Sequence, residues 1–348
     1  MTGTVIVQYG RTQISTLLSD QLAKSGYKKK LVAMNTYDLE PIWDIEIVVR
    51  GPFNFSRTVA KPAGWHWATP GEVFQAGTLW SGTYLHGIPI GLKMSAEGGK
   101  ISATAYAQFQ LNDNEKKSLL MDMKLGLGAD DDIQAFYAVA CDDDILSVAV
   151  KDLYGMRVGR LDDVFGRVLL AITLQMAPLK RSEHMMAKLL AEYGTVVAFD
   201  DMEVVLWPQP SDIARLEPHE LKRTVNLGYR AERLVKAAQY LIDHPLSLRD
   251  LLSLPESEAV KKVMEIPGIG SYSARLILGR NSAPVDVWSV VILSELLLGR
   301  TPKHPRKEIE EVTKAMIDRW GEWSWVAFVY ILNDLSQLAR VYNLSRIT

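Results

Sequence analysis

The run from 266 to 275, Ile-Pro-Gly-Ile-Gly-Ser-Tyr-Ser-Ala-Arg, has the residue types of a phosphate-binding hairpin between two helices. Pro267 cannot continue a helix, and Gly268 and Gly270 allow positive φ and leave bare backbone at the surface. Ser271 then begins a helix whose first N–H groups have no partner within that helix. These amides and the positive end of the helix dipole would bind a phosphate group. Taken alone, the run also fits an ordinary corner between two packed helices.

The same hairpin carries carbonyl groups that could hold a cation. The backbone carbonyls of Met264, Ile266 and Gly268 could point together, and a monovalent cation (K⁺ or Na⁺) held there would help to neutralise a bound phosphate. Beyond this tentative structural ion, the sequence gives no reason to expect a required cofactor.

A single carboxylate follows the hairpin. Asp286 comes after Pro284 and Val285 and before the apolar run 287–293, which predicts a helix. The simplest role of Asp286 is to cap that helix. Capping is compatible with chemistry, because a capping carboxylate is held rigidly and its negative charge is favoured at a helix N-terminus.

The first third of the chain must supply a scaffold of strands. Segments 44–50, 54–60, 88–94 and 100–106 carry β-branched or alternating apolar residues, with turn residues at 51–52, 86–87 and 97–99. Pro89 cannot donate to a ladder, so we expect it on an edge strand. Segment 13–25 has helical spacing and would pack on this sheet.

From about Asn114 onward the spacing of apolar residues becomes helical. Acidic starts at 130–133 and 142–145 suit helix N-termini, and Pro178 suits the first turn of another helix. Further amphipathic helices are predicted at 230–242, 257–265, 271–280, 287–298, 306–319 and 325–341. We therefore predict an α+β protein: an N-terminal antiparallel-sheet domain (1–127) followed by a helical domain (128–348).

Composition narrows the classes of function. The chain has 348 residues, net charge −2 and one cysteine, Cys141, which excludes an internal disulfide framework and a four-thiolate metal site. The charge argues against a histone-like coat of the DNA backbone. The six histidines show no tight ligand spacing, which argues against a metal-dependent nuclease. Without a membrane-length apolar stretch or a signal peptide, we expect a cytoplasmic protein.

Residues 263–288 resemble the helix-hairpin-helix, Gly/Pro-Asp superfamily of DNA glycosylases. Residues 227–234, Leu-Gly-Tyr-Arg-Ala-Glu-Arg-Leu, resemble the matching segment of the 8-oxoguanine glycosylases. Residues 320–325 resemble the C-terminal helix of those enzymes and of the 3-methyladenine glycosylase II group. The likeness covers roughly 128–340 and implies a TBP-like sheet domain before an all-α glycosylase domain.

The resemblance also implies roles for two residues of the site. In this superfamily the aspartate stabilises positive charge at the sugar during glycosidic cleavage, a role that falls on Asp286. Members that also cut the strand place a lysine in the helix after the hairpin, and its amine attacks C1′. Tyr272 stands at that position, and a phenol cannot form the imine. The expected activity is therefore monofunctional base excision.

Other residues are assigned to the DNA and the base by the same alignment. The loop 174–178 corresponds to the loop that fills the gap left by a flipped base, so Met176 is the expected filler and Gln175 the partner of the orphaned base; Met176 as core filler is the alternative. Tyr272 and Trp288 flank the base pocket or pack in the core. Arg230 contacts a phosphate or forms a surface ion pair.

The expected substrate is an alkylated purine. A cationic alkylated purine suits an aromatic pocket, and Ala327 stands where 8-oxoguanine enzymes carry a base-reading glutamine. The segment 227–234 favours 8-oxoguanine instead, and deaminated or mismatched pyrimidines stay open. The expected partner is double-stranded DNA with damaged bases, bound by a nucleoid-associated monomer. A non-catalytic DNA-binding hairpin protein is the rival from another class.

Overall fold

A five-stranded antiparallel sheet forms the N-terminal part of the protein. The structure, a computed structural model, describes residues 36–60 and 71–345 except 160, 162 and 282, so the helix expected at 13–25 lies outside the described residues. The strands are β1 (Thr36–Asp38), β2 (Glu40–Val48), β3 (Val73–Gln75), β4 (Thr78–Leu85), β5 (Ile88–Glu97) and β6 (Lys100–Ala107). The order β2-β6-β5-β4-β3 makes the sheet.

Tight two-residue turns join the central strands. His86 and Gly87 have φ of 51° and 81°, and Gly98 and Gly99 have φ of 58° and 82°. Positive φ at both central residues is the type I′ geometry that matches the twist of a hairpin. The turns predicted at these two places are confirmed.

One predicted strand is a helix instead. Segment 54–60 forms α1 (Phe55–Val59), because the side chain of Asn54 accepts a hydrogen bond from the Arg57 N–H at 2.9 Å and caps the turn. Phe55, Thr58 and Val59 are buried at helical spacing. The β-branched composition of the segment was outweighed by the cap and by this packing.

The edge position expected for Pro89 is also wrong. β5 lies between β4 and β6. Pro89 pairs with Tyr84 on β4, but the pairing of β5 with β6 begins only at Gly91, opposite Tyr106. Pro89 therefore projects past the end of β6, where its missing N–H removes no bond from that ladder.

The remaining chain is mainly helical. The helices are α2 (Asp113–Leu127), α3 (Ile133–Cys141), α4 (Leu146–Asp152), α5 (Val164–Leu174), α6 (Leu179–Tyr193), α7 (Pro210–Ala214), α8 (Pro218–Thr224), α9 (Arg230–Asp243), α10 (Leu248–Ser253), α11 (Glu256–Met264), α12 (Ser271–Leu278), α13 (Ser289–Leu298), α14 (Pro305–Trp320), α15 (Ser324–Asn333) and α16 (Leu335–Tyr342). One core packs the sheet against α2, and a larger one unites the helices from Ile133 onward. The predicted sheet-then-helices architecture is confirmed.

A β-hairpin that the sequence did not reveal lies within the helical part. Strands β7 (Thr195–Phe199) and β8 (Met202–Leu206) pair with each other, and β1 joins β7 in parallel. The hairpin packs on the sheet at a glycine: a Cβ at Gly91 would lie 2.6 Å from the Phe199 ring. A side chain at position 91 would therefore prevent this close packing of the hairpin on the sheet.

Candidate functional site

The hairpin between α11 and α12 is anchored by buried isoleucines and exposes its glycines. Ile266 and Ile269 are buried, while Gly268 and Gly270 are exposed. Gly268 has φ of +85°, the conformation that favours glycine. Gly270 was expected to need the same freedom, but its backbone is extended, with φ of −100°. A Cβ added at Gly270 would meet no atom within 4 Å, so this glycine leaves open space at the surface.

The first amides of α12 are available to a ligand. Gly270 is the N-cap of α12, no side chain caps this end, and Ser271 is exposed. The first intrahelical backbone bond here runs from the Ala274 N–H to the Gly270 carbonyl at 2.8 Å. The helix N-terminus therefore presents unsatisfied donors, the arrangement that binds an anion.

The carbonyls proposed to hold a cation are partly engaged. The Ile266 carbonyl accepts from the Ile269 N–H at 3.1 Å, and the Gly268 carbonyl accepts from Gln175 Nε2 at 2.8 Å. A carbonyl oxygen has two lone pairs, so each retains one acceptor position. With the Met264 carbonyl they would offer only oxygen ligands, the type that suits K⁺ or Na⁺, so the cation site stays a prediction.

Asp286 is held by one oxygen of its carboxylate. Oδ1 accepts from the Trp288 N–H (3.1 Å), the Ser289 N–H (2.7 Å) and the Ser289 hydroxyl (2.7 Å). The Asp286 N–H and Ser289 Oγ are in turn 2.9 Å apart. Among the residues that the structure describes, none makes a hydrogen bond to Oδ2. The capping role and a free, rigidly oriented oxygen therefore coexist in one side chain.

Tyr272 and Trp288 differ in their surroundings. Tyr272 is half-buried against the helical core, and burial, with a smaller contribution from the negative charge of Asp286, raises the pKa of its phenol. Its hydroxyl makes no hydrogen bond to any residue in the described part of the chain. Trp288 is 42% exposed, so the alternative in which it packs in the core does not apply. Tyr272 is close enough to Asp286 to feel its charge, and Trp288 follows Asp286 by two residues in the chain.

Met176 stands at the tip of the loop after α5. Its side chain is 78% exposed and its φ is 48°, a strained value for a non-glycine residue. The alternative role as core filler is therefore wrong. An exposed apolar side chain on a strained tip beside the hairpin is the feature that a gap-filling residue needs.

Two residues assigned to DNA contacts turn inward. Arg230 is 2% exposed, and its Nε donates to the Gln175 carbonyl at 3.0 Å. A phosphate contact or a surface ion pair by Arg230 does not fit this burial; its guanidinium holds the end of α5 instead. The Gln175 amide, expected to meet an orphaned base, bonds to the hairpin and to Arg233.

Sequence reasoning missed three contributors to the site. Ser289 supports Asp286, as described above. Tyr229 is 46% exposed, and the guanidinium groups of Arg230 and Arg233 lie 4.6 and 4.8 Å from the centre of its ring. The resemblance of segment 227–234 pointed to the region around Tyr229. Nothing in that segment distinguished Arg233, whose contacts are with loops far away in sequence.

Three tryptophans near the end of the chain are mainly structural. Trp320 and Trp325 are 2% and 5% exposed, and Trp323 contacts the ring of Phe136 at 5.8 Å between centroids. Among the described residues, no group of three or more His, Cys, Asp or Glu side chains could hold a metal ion. Within the same ranges, no helix is long and apolar enough to cross a membrane.

A sheet domain before a helical domain, with a glycine hairpin and a capping aspartate, is the arrangement of the helix-hairpin-helix DNA glycosylases. No protein-family model matches the chain. A curated relative, the DNA-3-methyladenine glycosylase of Bacillus subtilis (strain 168), is 24% identical over 207 residues, which cover 58% of this chain and 67% of that enzyme.

Solved structures share the fold. MBOgg1 in complex with a low-affinity DNA ligand matches with a TM-score of 0.66 at 20% identity, covering 88% of this chain and 99% of that one. The 3-methyladenine DNA glycosylase of Archaeoglobus fulgidus matches at 0.65 and 20%, covering 84% and 98%. The 8-oxoguanine glycosylase/lyase of Clostridium acetobutylicum matches at 0.64 and 16%, covering 86% and 99%. The resemblance found in the sequence is confirmed: the curated relative is a DNA-3-methyladenine glycosylase, and these solved structures share the fold of this chain.

Proposed function

We propose that this protein is a monofunctional DNA glycosylase of base excision repair. It takes a damaged base out of double-stranded DNA and hydrolyses its N-glycosidic bond, with alkylated purines as the substrate class. The proposal depends most on Asp286, whose Oδ1 is fixed by three donors while Oδ2 makes no hydrogen bond within the described residues.

DNA binding rests on the hairpin. Exposed Gly268, Gly270 and Ser271 present backbone to a phosphate, and K⁺ or Na⁺ on the neighbouring carbonyls would add positive charge. MBOgg1 binds a DNA ligand, and the Clostridium enzyme binds double-stranded DNA containing cytosine opposite 8-oxoguanine. A net charge of −2 is compatible, because an enzyme of this type contacts few phosphates.

The chemistry of the site is electrostatic. Cleavage of the glycosidic bond develops positive charge on the sugar, near C1′. A carboxylate that is already oriented stabilises that charge without reorganising. Oδ2 of Asp286 performs this role and can also orient the attacking water. The departing cationic base takes the bonding electrons and leaves as a neutral molecule, the water oxygen bonds to C1′ in its place, and the proton that the water gives up passes to solvent.

Strand cleavage is not part of the proposed reaction. A lyase step needs a neutral amine that attacks C1′, and the position of that amine holds Tyr272. Raising the pKa of the phenol by burial keeps it protonated, which makes it a hydrogen-bond donor and a ring surface, not a nucleophile.

The choice of alkylated purine rests on the two aromatic rings next to Asp286. An alkylated purine is cationic and attractive to aromatic faces, which Tyr272 and Trp288 offer. The curated relative is named for 3-methyladenine. 8-Oxoguanine is the second candidate, favoured by the segment 227–234; against it, Ala327 is fully buried and its methyl group cannot hydrogen-bond a base.

A lesion panel tests the proposal. Duplexes with methylated purines, 8-oxoguanine, uracil, hypoxanthine or mismatched thymine are incubated with the protein, and mild alkali then reveals abasic sites. We expect cleavage after alkali on the methylated-purine duplexes, and no covalent complex when borohydride is added. Base release from 8-oxoguanine alone would show that the proposed substrate is wrong. A covalent complex trapped by borohydride would overturn the monofunctional mechanism. If no lesion is released, a non-catalytic DNA-binding protein is favoured.

A further inference from the structure

Both polar groups of the Gln175 side chain are engaged within the protein. Its Oε1 accepts from Arg233 Nη1 at 2.6 Å, and its Nε2 donates to the Gly268 carbonyl at 2.8 Å. The orientation of the amide is determined by its partners, because a guanidinium only donates and must face the oxygen. The amide nitrogen is thereby turned towards the hairpin. Gln175 thus ties the filler loop to the hairpin, 93 residues away in sequence.

Arg233 occupies the junction of three elements. It belongs to α9, its guanidinium lies 4.8 Å from the centre of the Tyr229 ring, and Gln175 of the filler loop is its hydrogen-bond partner. Its aliphatic stem runs along the hairpin: a Cβ at Gly268 would lie 3.0 Å from Arg233 Cβ and 3.1 Å from Cγ and Cδ. The glycine therefore makes room for the arginine as well as for a ligand.

The filler residue needs this support. Met176 follows Gln175 directly and has a positive φ, a conformation that persists only where the surroundings impose it. The Gln175 carbonyl accepts from Arg230 and from the Tyr229 hydroxyl (3.3 Å), which holds the backbone just before the tip. Arg233 holds the side chain of the same residue, through its hydrogen bond to Gln175 Oε1.

We propose that Arg233 is a positioning residue for base flipping: it orients the Gln175 amide, which locks the filler loop to the hairpin and presents Met176 to the duplex. The inference rests on the proposed glycosylase function. It changes the role of Gln175 from a reader of the orphaned base to a strut.

The test compares Arg233→Met with Lys236→Met. The first removes the guanidinium and retains an aliphatic stem beside Gly268. The control removes the same charge from the same helix, where Lys236 forms an ion pair with Glu232 at 3.0 Å. Single-turnover base release is measured on a methylated purine in a duplex and in a short unpaired bubble, where no stacked base must be extracted.

We expect Arg233→Met to slow release from the duplex about tenfold, the effect of about one lost hydrogen bond to a charged group, with little change on the bubble. Lys236→Met should leave the ratio of the two rates unchanged, and the melting temperature of both variants should stay near that of the parent. Gln175→Leu should reproduce the defect, and the double variant should be no slower than either single variant, since both break one connection.

The outcomes separate the inference from the function. An active parent whose duplex-to-bubble ratio is unchanged by Arg233→Met, or additive losses in the double variant, would overturn the role of Arg233. A parent that releases no base from either substrate, in any lesion of the panel, would overturn the proposed function itself.

Discussion

Replacing Asp286 by Asn separates the catalytic use of this side chain from its structural use. Asn retains an oxygen that can accept the bonds from Trp288 and Ser289, which now reach Oδ1 at 2.7–3.1 Å. The substitution exchanges Oδ2 for an NH₂ group and removes the negative charge. Since Oδ2 has no protein partner in the described residues, no internal hydrogen bond is lost there.

The expected effect on folding is small and the expected effect on activity is large. Asn and Asp are about equally good N-caps, so only the favourable interaction of the charge with the helix dipole is lost, about 0.3–1 kcal/mol at an exposed end. A preorganised charge that acts on the transition state is worth far more; removing one such contributor costs about 10²–10³ in rate. The NH₂ group also points a donor where the sugar becomes positive, which increases the loss.

The assay is single-turnover base release, measured with DNA affinity and thermal melting. Asp286→Asn should bind DNA at least as well as the parent, because a negative charge near the phosphates is gone, and should release base at least about 10²-fold more slowly. Asp286→Ala is the matched comparison: it has the same catalytic defect but also loses the cap, at about 0.5–2 kcal/mol of stability. Release by Asp286→Asn within a few-fold of the parent rate would refute the electrostatic role, whatever the melting data show.

Three further predictions follow from particular contacts. Gly270→Ala should leave the melting temperature unchanged, because a Cβ there meets no protein atom within 4 Å, and should weaken binding to damaged and undamaged DNA alike; unchanged affinity would contradict the phosphate site. Met176→Ala, at a side chain 78% exposed, should slow base release from duplex DNA without altering stability, and an unchanged rate would contradict the filler role. Burial, assisted by Asp152 and opposed by Arg57, raises the pKa of Asp334 to about 7. The folded state then holds an extra proton between the unfolded value of about 4 and that pKa, so stability should fall as pH rises through this range. Asp334→Asn should remove this fall in melting experiments across that range, and a parent whose stability does not decrease there would contradict the assignment.

The local part of the site was predictable from sequence because each signal lies within a few residues. The hairpin needed only Pro267, Gly268 and the helix start at Ser271, and the structure has all three in the expected places. Strands β5 and β6 were likewise visible from alternation and from turns at 86–87 and 97–99. The strand predicted at 54–60 was wrong because a segment this short fits both a strand and a five-residue capped helix. The packing of Phe55 favoured the helix.

The long-range part was not predictable for a physical reason. The bonds of Gln175 to Arg233 and Gly268 join positions 58 and 93 residues apart, and no periodicity encodes such pairs. From local sequence alone, a glutamine in a loop expected to face DNA is most simply assigned to a DNA contact. The role predicted for Arg230 was wrong for a similar reason. An arginine that binds backbone carbonyls at a helix end can have the same local sequence as one that binds phosphate.

Asp286 illustrates why a structural role and a catalytic role need not compete. From sequence, capping alone explained an aspartate before an apolar helix, and the family resemblance was needed to argue for more. In the structure Oδ1 takes all three bonds from the helix start and Oδ2 takes none within the described chain, so the proposed catalytic role would fall on a different oxygen from the cap. The cap therefore fixes the direction in which the other oxygen points, and the carboxylate needs no separate support to be preorganised. Ser289 contributes twice to this fixation, through its N–H and its hydroxyl. Ser289→Ala should accordingly slow single-turnover base release although the Asp286 carboxylate itself is unchanged, a loss that a purely structural cap would not produce.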